Sequence, residues 1–249
     1  MLIKVDKLLY KVHRWKKMMV LLMIFPCFFF GQNFKEDMLA LNKKLFGYKK
    51  FSITLHYKLF IDSVSNMPFE ERHINMLKED PNLFCKQEGL EFISNKEFQI
   101  MVDHRIKKII INKTFGKTKD LNAELDFMKE KFDTLMLIYI KVVFVPVDKE
   151  IGSYDCYLKA GKYLRMQIFY NRKTNMPVKV IYNMRKKIQK NSNDKIFHQA
   201  TLEVDYENFN SHPLVKQSDF SEKRFFYYEN KTNIRLTASY SDYQIINHL

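Results

Sequence analysis

The sequence predicts a mainly β (α+β) chain built on a single curved antiparallel sheet. This is an incomplete β-barrel of about ten to twelve strands, with a long helix packed on or in its concave face. Three observations predict it. Lys50 to Asp62 alternates apolar and polar residues over about 40 Å at ~3.3 Å per residue, well beyond an ordinary strand. From Leu83 onward, short alternating runs are separated by short turns, an antiparallel signature. One segment, Leu121 to Tyr139, instead repeats its apolar residues at helical spacing. With 46% hydrophobic residues, 6 Gly and 6 Pro, the chain has the material for a packed core and is neither fibrous nor low in complexity.

The elements follow in order. Residues 1–32 read as a secretory signal peptide: basic residues from Lys4 to Lys17, an apolar run from Met18 to Phe30, then Gly31-Gln32. The apolar run is short for a membrane span, which needs ~20 residues, and Pro26 lies inside it, so an uncleaved anchor is the weaker alternative. Cys27 has the wrong neighbours for a lipidation site, with Pro26 before it and Phe28 after it. The expected mature chain, residues 33–249, shows no repeat, linker or composition break and is read as one domain in the periplasm.

Phe34, Met38, Leu41 and Leu45 share one face of a helix, which Gly47 stops. In the strand that follows, Phe51, Ile53, Leu55, Tyr57, Leu59 and Ile61 point one way. Ser63 to Pro81 is polar, carries Met67-Pro68 and Asp80-Pro81, and reads as a loop. A meander follows: Leu83–Gln87, Leu90–Ser94, Phe98–Asp103 and Lys108–Asn112, with turns at Glu88-Gly89 and near His104-Arg105. Asp120 can cap the long helix, whose stripe is Leu121, Leu125, Met128, Phe132, Leu135, Met136 and Tyr139. Strands resume at Val142–Val147, Tyr154–Leu158, Tyr163–Tyr170, Val178–Met184 and His198–Tyr206. A helical turn at Ser218–Lys223 and three short strands, Phe225–Tyr228, Ile234–Thr237 and Tyr243–Asn247, complete the chain.

The net charge is +14; in the leader six Lys and Arg stand against Asp6, which leaves +9 for the rest. A basic balance of this size fits an anionic partner, but a chain rich in Lys, Asn, Ile, Phe and Tyr also carries the mark of AT-rich codons. For an exported protein the anionic partner would be a membrane surface, not nucleic acid. Beyond Cys27 the cysteines are Cys85 and Cys156, each in an expected strand. The periplasm permits a disulfide between them, and two buried free thiols are the competing state.

No familiar catalytic pattern is present. The histidines stand singly and form no H-x-H, H-E-x-x-H or Cys/His spacing, so the sequence supports no metal site and no cofactor. Asp103-His104 suits turn chemistry, and Glu70-Glu71 suits a solvated pair. A hydrolase would need a buried carboxylate beside a histidine in a cleft. The architecture points elsewhere. A sheet that curls without closing leaves an apolar concavity, and a helix either fills it as core or roofs a small-ligand site.

The stretch Tyr163-Leu164-Arg165-Met166-Gln167-Ile168-Phe169-Tyr170, with Asn171–Thr174, Pro177 and Val178–Tyr182, is similar to the late hairpin of the outer-membrane lipoprotein carrier family. The strand Leu202–Tyr206 with Asn208-Phe209 is similar too, and the order of elements over residues 34–210 resembles the family's half-barrel. The Gly31-Gln32 end resembles signal-peptide ends common in the Bacteroidetes. Phe220 to Phe226 and the rest of the last forty residues depart from the family. The resemblance implies a monomeric, non-enzymatic periplasmic binder of a lipid or lipoprotein acyl chain. The expected wall is Phe51, Ile53, Leu55, Tyr57 and Leu59, and the expected lid is Leu125, Met128, Phe132 and Met136. The alternative is an envelope scaffold protein, in which any cavity has polar walls or stays below ~300 Å³.

Overall fold

A computed structural model describes residues 34–45, 47–61, 66–113, 136–188, 197–230 and 233–248. The expected leader and most of the helix expected at Leu121 to Tyr139 lie outside these residues, so Leu125, Met128 and Phe132 do too.

Helix α1 spans 34–45. The Gly47 N–H donates to the Lys43 carbonyl at 2.9 Å, and a Cβ at Gly47 would collide with that oxygen. Fourteen strands follow among the described residues. The first six are β1 (Lys50–Ile61), β2 (Glu70–Glu79), β3 (Asn82–Gln87), β4 (Leu90–Ser94), β5 (Phe98–Asp103) and β6 (Lys108–Lys113). The next five are β7 (Tyr139–Pro146), β8 (Ile151–Leu158), β9 (Tyr163–Asn171), β10 (Met176–Met184) and β11 (Ala200–Asn210). The last three are β12 (Phe226–Tyr228), β13 (Ile234–Leu236) and β14 (Gln244–His248).

Twelve of them form one sheet in the order β14-β6-β5-β4-β3-β2-β1-β11-β10-β9-β8-β7. The sheet is curved and open, since β14 and β7 are its two edges. Every neighbouring pair is antiparallel except β14 with β6. The expected large antiparallel sheet is thus present. The expected loop at Ser63 to Pro81 is not: β2 occupies its second half, hydrogen-bonded to β1 on one side and β3 on the other. Its polarity is absorbed by cross-strand partners, with Glu71 opposite Lys58 and His73 opposite His56.

Register assigns the side chains to two faces, because directly opposed residues share a face and the pleat alternates. On one face Phe34, Met38 and Leu41 of α1 pack on Tyr154, Cys156, Ile168, Tyr170 and Val180 of β8, β9 and β10. Burying a side chain the size of Phe34 there contributes about 2–3 kcal/mol. Asp37 fixes the helix, accepting from the hydroxyls of Tyr154 and Tyr170 at 2.6 Å each. The other core lies on the opposite face at the other end of the sheet. There Ile93, Phe98, Ile100, Val102, Ile109 and Ile111 are covered by Phe225 and Phe226. Phe225 and Phe226, with Ile234, Leu236 and Tyr240 packed beside them, therefore form a second cover, C-terminal in the chain. The buried Glu91 carboxylate ties it down, accepting from Arg224 at 2.9 Å, while the Arg224 guanidinium lies over the rings of Phe84 and Phe225.

Cys85 and Cys156 are both free thiols, so the bridge weighed from the sequence does not form. Five strands, β2, β1, β11, β10 and β9, separate β3 from β8 in the sheet. Burial raises the Cys85 thiol to about 11 and the Cys156 thiol to about 12.

Candidate functional site

Helix α1 packs on β8, β9 and β10, towards one end of its face of the sheet. A cleft of about 490 Å³ opens on that face between β3 and β10. Tyr57 and Leu59 of β1, Ile74 of β2, Leu202 of β11, Met184 of β10 and Ile188 supply its apolar wall. Register explains the set. Leu59 stands opposite Leu202, Tyr57 is flanked by Arg72 and Val204, and Leu55 by Ile74 and Tyr206. Glu70, Arg72 and Gln87 are its polar residues. Arg72 and Glu70 form an ion pair on the same face with roughly half of each side chain exposed, which places the charge at the mouth.

Beside the cleft lies a group of phenols. The Tyr163 and Tyr182 rings are 4.6 Å apart, and Tyr57, Tyr139 and Tyr206 are close enough to Tyr182 to add to its shift. Burial first, and the neighbouring phenols second, push Tyr182 up to about 12; burial also raises Tyr57 and Tyr206. This flank of the cleft, of which Tyr57 is the lining member, is therefore uncharged near neutral pH. It offers apolar ring faces with hydroxyl tips, a surface suited to an amphipathic ligand.

Of the wall residues expected from sequence, Tyr57 and Leu59 line the cleft and Leu55 lies beside them, half-buried. Phe51 and Ile53 share the face but are buried core, Phe51 stacked on Phe209. Met136 packs against the α1 core and is not among the described lining residues of the cleft. Sequence reasoning missed Glu70, Arg72 and Ile74 because it read β2 as a loop. It missed Met184 and Leu202 because pairing across distant strands, not spacing, brings them to the cleft. Asp103 turns out to hold its hairpin, accepting from the Arg105 backbone and guanidinium, which keeps its carboxyl at about 2.

A second, larger cleft of about 810 Å³ lies between the β4–β5 turn and the 217–224 segment. Its lining is mostly polar, including Glu79, Asn95, Lys96, Glu97, Glu222 and Lys223. Among the described residues no helix is long and apolar enough to cross a membrane.

No family model matches the chain, and no curated protein does. Solved structures similar to it include an uncharacterized conserved protein from Thermus thermophilus, at 10% identity and TM-score 0.45 over 87% of this chain and 99% of that one. A LolA superfamily protein from Nitrosomonas europaea is similar at 11% identity and TM-score 0.33, over 76% of this chain and 97% of that one. The Mycobacterium tuberculosis lipoprotein LppX is similar at 8% identity and TM-score 0.38, over 73% of this chain and 97% of that one.

Proposed function

We propose that this protein is an exported, non-enzymatic binder of a lipid or lipoprotein acyl chain, held in the cleft between β3 and β10. The observation that carries the reading is the cleft itself: about 490 Å³, six apolar side chains and one ion pair at the mouth. That volume falls in the ~300–1,000 Å³ range of small-ligand sites, and the balance of lining groups matches one. The apolar lining of this cleft supports a binder over a scaffold, for which polar walls or a smaller cavity are expected. The apolar chain lies along Leu59, Ile74 and Leu202, each buried CH₂ contributing ~0.8 kcal/mol. The polar head stays at Arg72, whose guanidinium can exchange Glu70 for an anionic headgroup.

The test is fluorescence of cis-parinaric acid titrated onto the purified protein, with Leu59→Asp, Leu202→Asp and Arg72→Ala beside the wild type. Saturable binding that either Asp substitution abolishes, with far-UV circular dichroism unchanged, is expected. Arg72→Ala should weaken the fatty acid by several-fold yet spare an uncharged acyl probe. No saturable binding by the wild type would sink the reading. Equal binding by wild type and both Asp variants would place the ligand elsewhere.

A further inference from the structure

The sheet's opposite face carries a second constellation on the same central strands. His56 of β1 stands directly across from His73 of β2, and Glu207 of β11 is opposite Thr54, one diagonal away. His56 is buried, Glu207 half-buried and His73 exposed. One ligating atom from each of the three lies within 4.8 Å of the others. The two imidazole rings stack with centroids 4.0 Å apart. The Glu71 carboxylate contacts Nε2 of His56, and Oε1 of Glu207 lies 3.2 Å from its Nδ1.

A neutral imidazole has one N–H, and carboxylates only accept. His56 meets a carboxylate oxygen at each ring nitrogen, so one of the two contacts needs a positive species between its atoms. With the N–H on Nε2 directed to Glu71, the Nδ1 lone pair faces Glu207. A carboxylate that fixes a histidine's tautomer while the other nitrogen ligates is the usual support of a metal-binding imidazole. The spacing agrees. An ion ~2.0–2.1 Å from a nitrogen and an oxygen in tetrahedral geometry holds those two atoms about 3.3 Å apart. A proton on Nδ1 would satisfy His56 and Glu207 alone, whereas a metal ion would also engage the second imidazole, which already places a ligating atom within 4.8 Å of the other two. Two lysines on the same face are engaged elsewhere: Lys58 binds Asp205 at 2.9 Å, and Lys179 binds Glu203 and Asp205 at 3.2 Å.

We propose that His56, His73 and Glu207 form a binding site for a divalent transition-metal ion of the zinc class, with Glu71 orienting His56. Two imidazoles and one carboxylate suit zinc, nickel or copper and not calcium or magnesium. Three hydrogen-bonded neighbouring strands fix the ligand positions. His73, being exposed, leaves its stack to present a nitrogen, and the fourth position is open to water.

The test is calorimetric titration of the untagged full chain, stripped of metal with EDTA, with Zn²⁺ near neutral pH. One equivalent should bind, unaffected by excess Ca²⁺ or Mg²⁺. His73→Ala and Glu207→Gln should each weaken it about tenfold or more. His212→Ala, in an exposed loop, should leave it unchanged. Zn²⁺ should also raise the melting temperature of the wild type and not of the two ligand variants. Should a metal-free variant melt differently from wild type, His73→Gln replaces it. Absence of stoichiometric binding, or equal binding by the wild type and both ligand variants, overturns the proposal.

Discussion

The Tyr154 hydroxyl donates to the Asp37 carboxylate at 2.6 Å, and that bond joins the first helix to the core of the sheet. Tyr170 donates to the same oxygen, and its ring is stacked on that of Tyr154. Asp37→Ala would leave two largely buried hydroxyls without their acceptor, each costing ~1–3 kcal/mol. The expected loss is about 2–6 kcal/mol, read as a lower urea midpoint with an unchanged slope. Asp37→Asn, which keeps an acceptor oxygen, should recover part of it.

Tyr170 and two further phenols predict an alkaline limit. Burial, with Asp37 second, raises Tyr170 to about 12, and burial raises Tyr139 and Tyr182 to about 12. The unfolded chain ionises its tyrosines near 10, so between about pH 10 and 12 it binds fewer protons than the folded one. The stability these phenols contribute is therefore full below pH ~10 and falls as pH rises toward 12. The thiols act in the same sense from about pH 9, since Cys85 is raised to about 11 and Cys156 to about 12. Urea unfolding as a function of pH should show this decline, and Tyr170→Phe together with Cys156→Ala should flatten it. A stability that held steady to pH 12 would contradict the assignment.

The thiols should also be chemically quiet. The thiolate is the reactive form, and burial disfavours it at both positions. Alkylation of the native protein without reductant should leave Cys85 and Cys156 largely unmodified at neutral pH. In denaturant both should label as free thiols, by peptide mass mapping. Recovery of a linked Cys85–Cys156 peptide would overturn the arrangement of β3 and β8.

The C-terminal cover hangs on Glu91 and Arg224. Arg224→Ala removes the closest cation from a buried carboxylate, leaving Lys86 at 3.4 Å and His104 at 3.5 Å. A hydrogen bond to a charged group is worth about 1.5–3 kcal/mol, so a loss near 2 kcal/mol is expected. Because the C-terminal cover packs on the opposite face from the cleft, acyl binding should survive in this variant. Limited proteolysis should release the segment after Phe209 sooner than in wild type.

Much of this fold was legible in the sequence, for a specific reason. Strands buried on one face announce themselves by alternation, as Phe51, Ile53 and Ile61 or Phe98, Ile100 and Val102 do. The meander β3 to β6 and the hairpin of β9 and β10 were visible on the same ground. β2 was not, because a central strand whose polar residues pair across the ladder has no apolar stripe. Glu70, Glu71, Arg72, His73 and Asn75 look like loop in isolation. That one strand supplies the mouth of the cleft on one face and two residues of the histidine cluster on the other. The cleft was legible only as the Tyr57 and Leu59 half of its wall. Its remainder, like the proximity of His56 to Glu207, comes from pairing between residues far apart in the chain.

The most direct test of the acyl-binding account is native mass spectrometry of the protein exported to a bacterial periplasm and purified without detergent. The account predicts an adduct of lipid mass, lost on denaturation, absent from Leu59→Asp and retained in Arg224→Ala. A clean mass for the wild type, unchanged after incubation with excess fatty acid or phospholipid, would contradict it and favour the scaffold alternative.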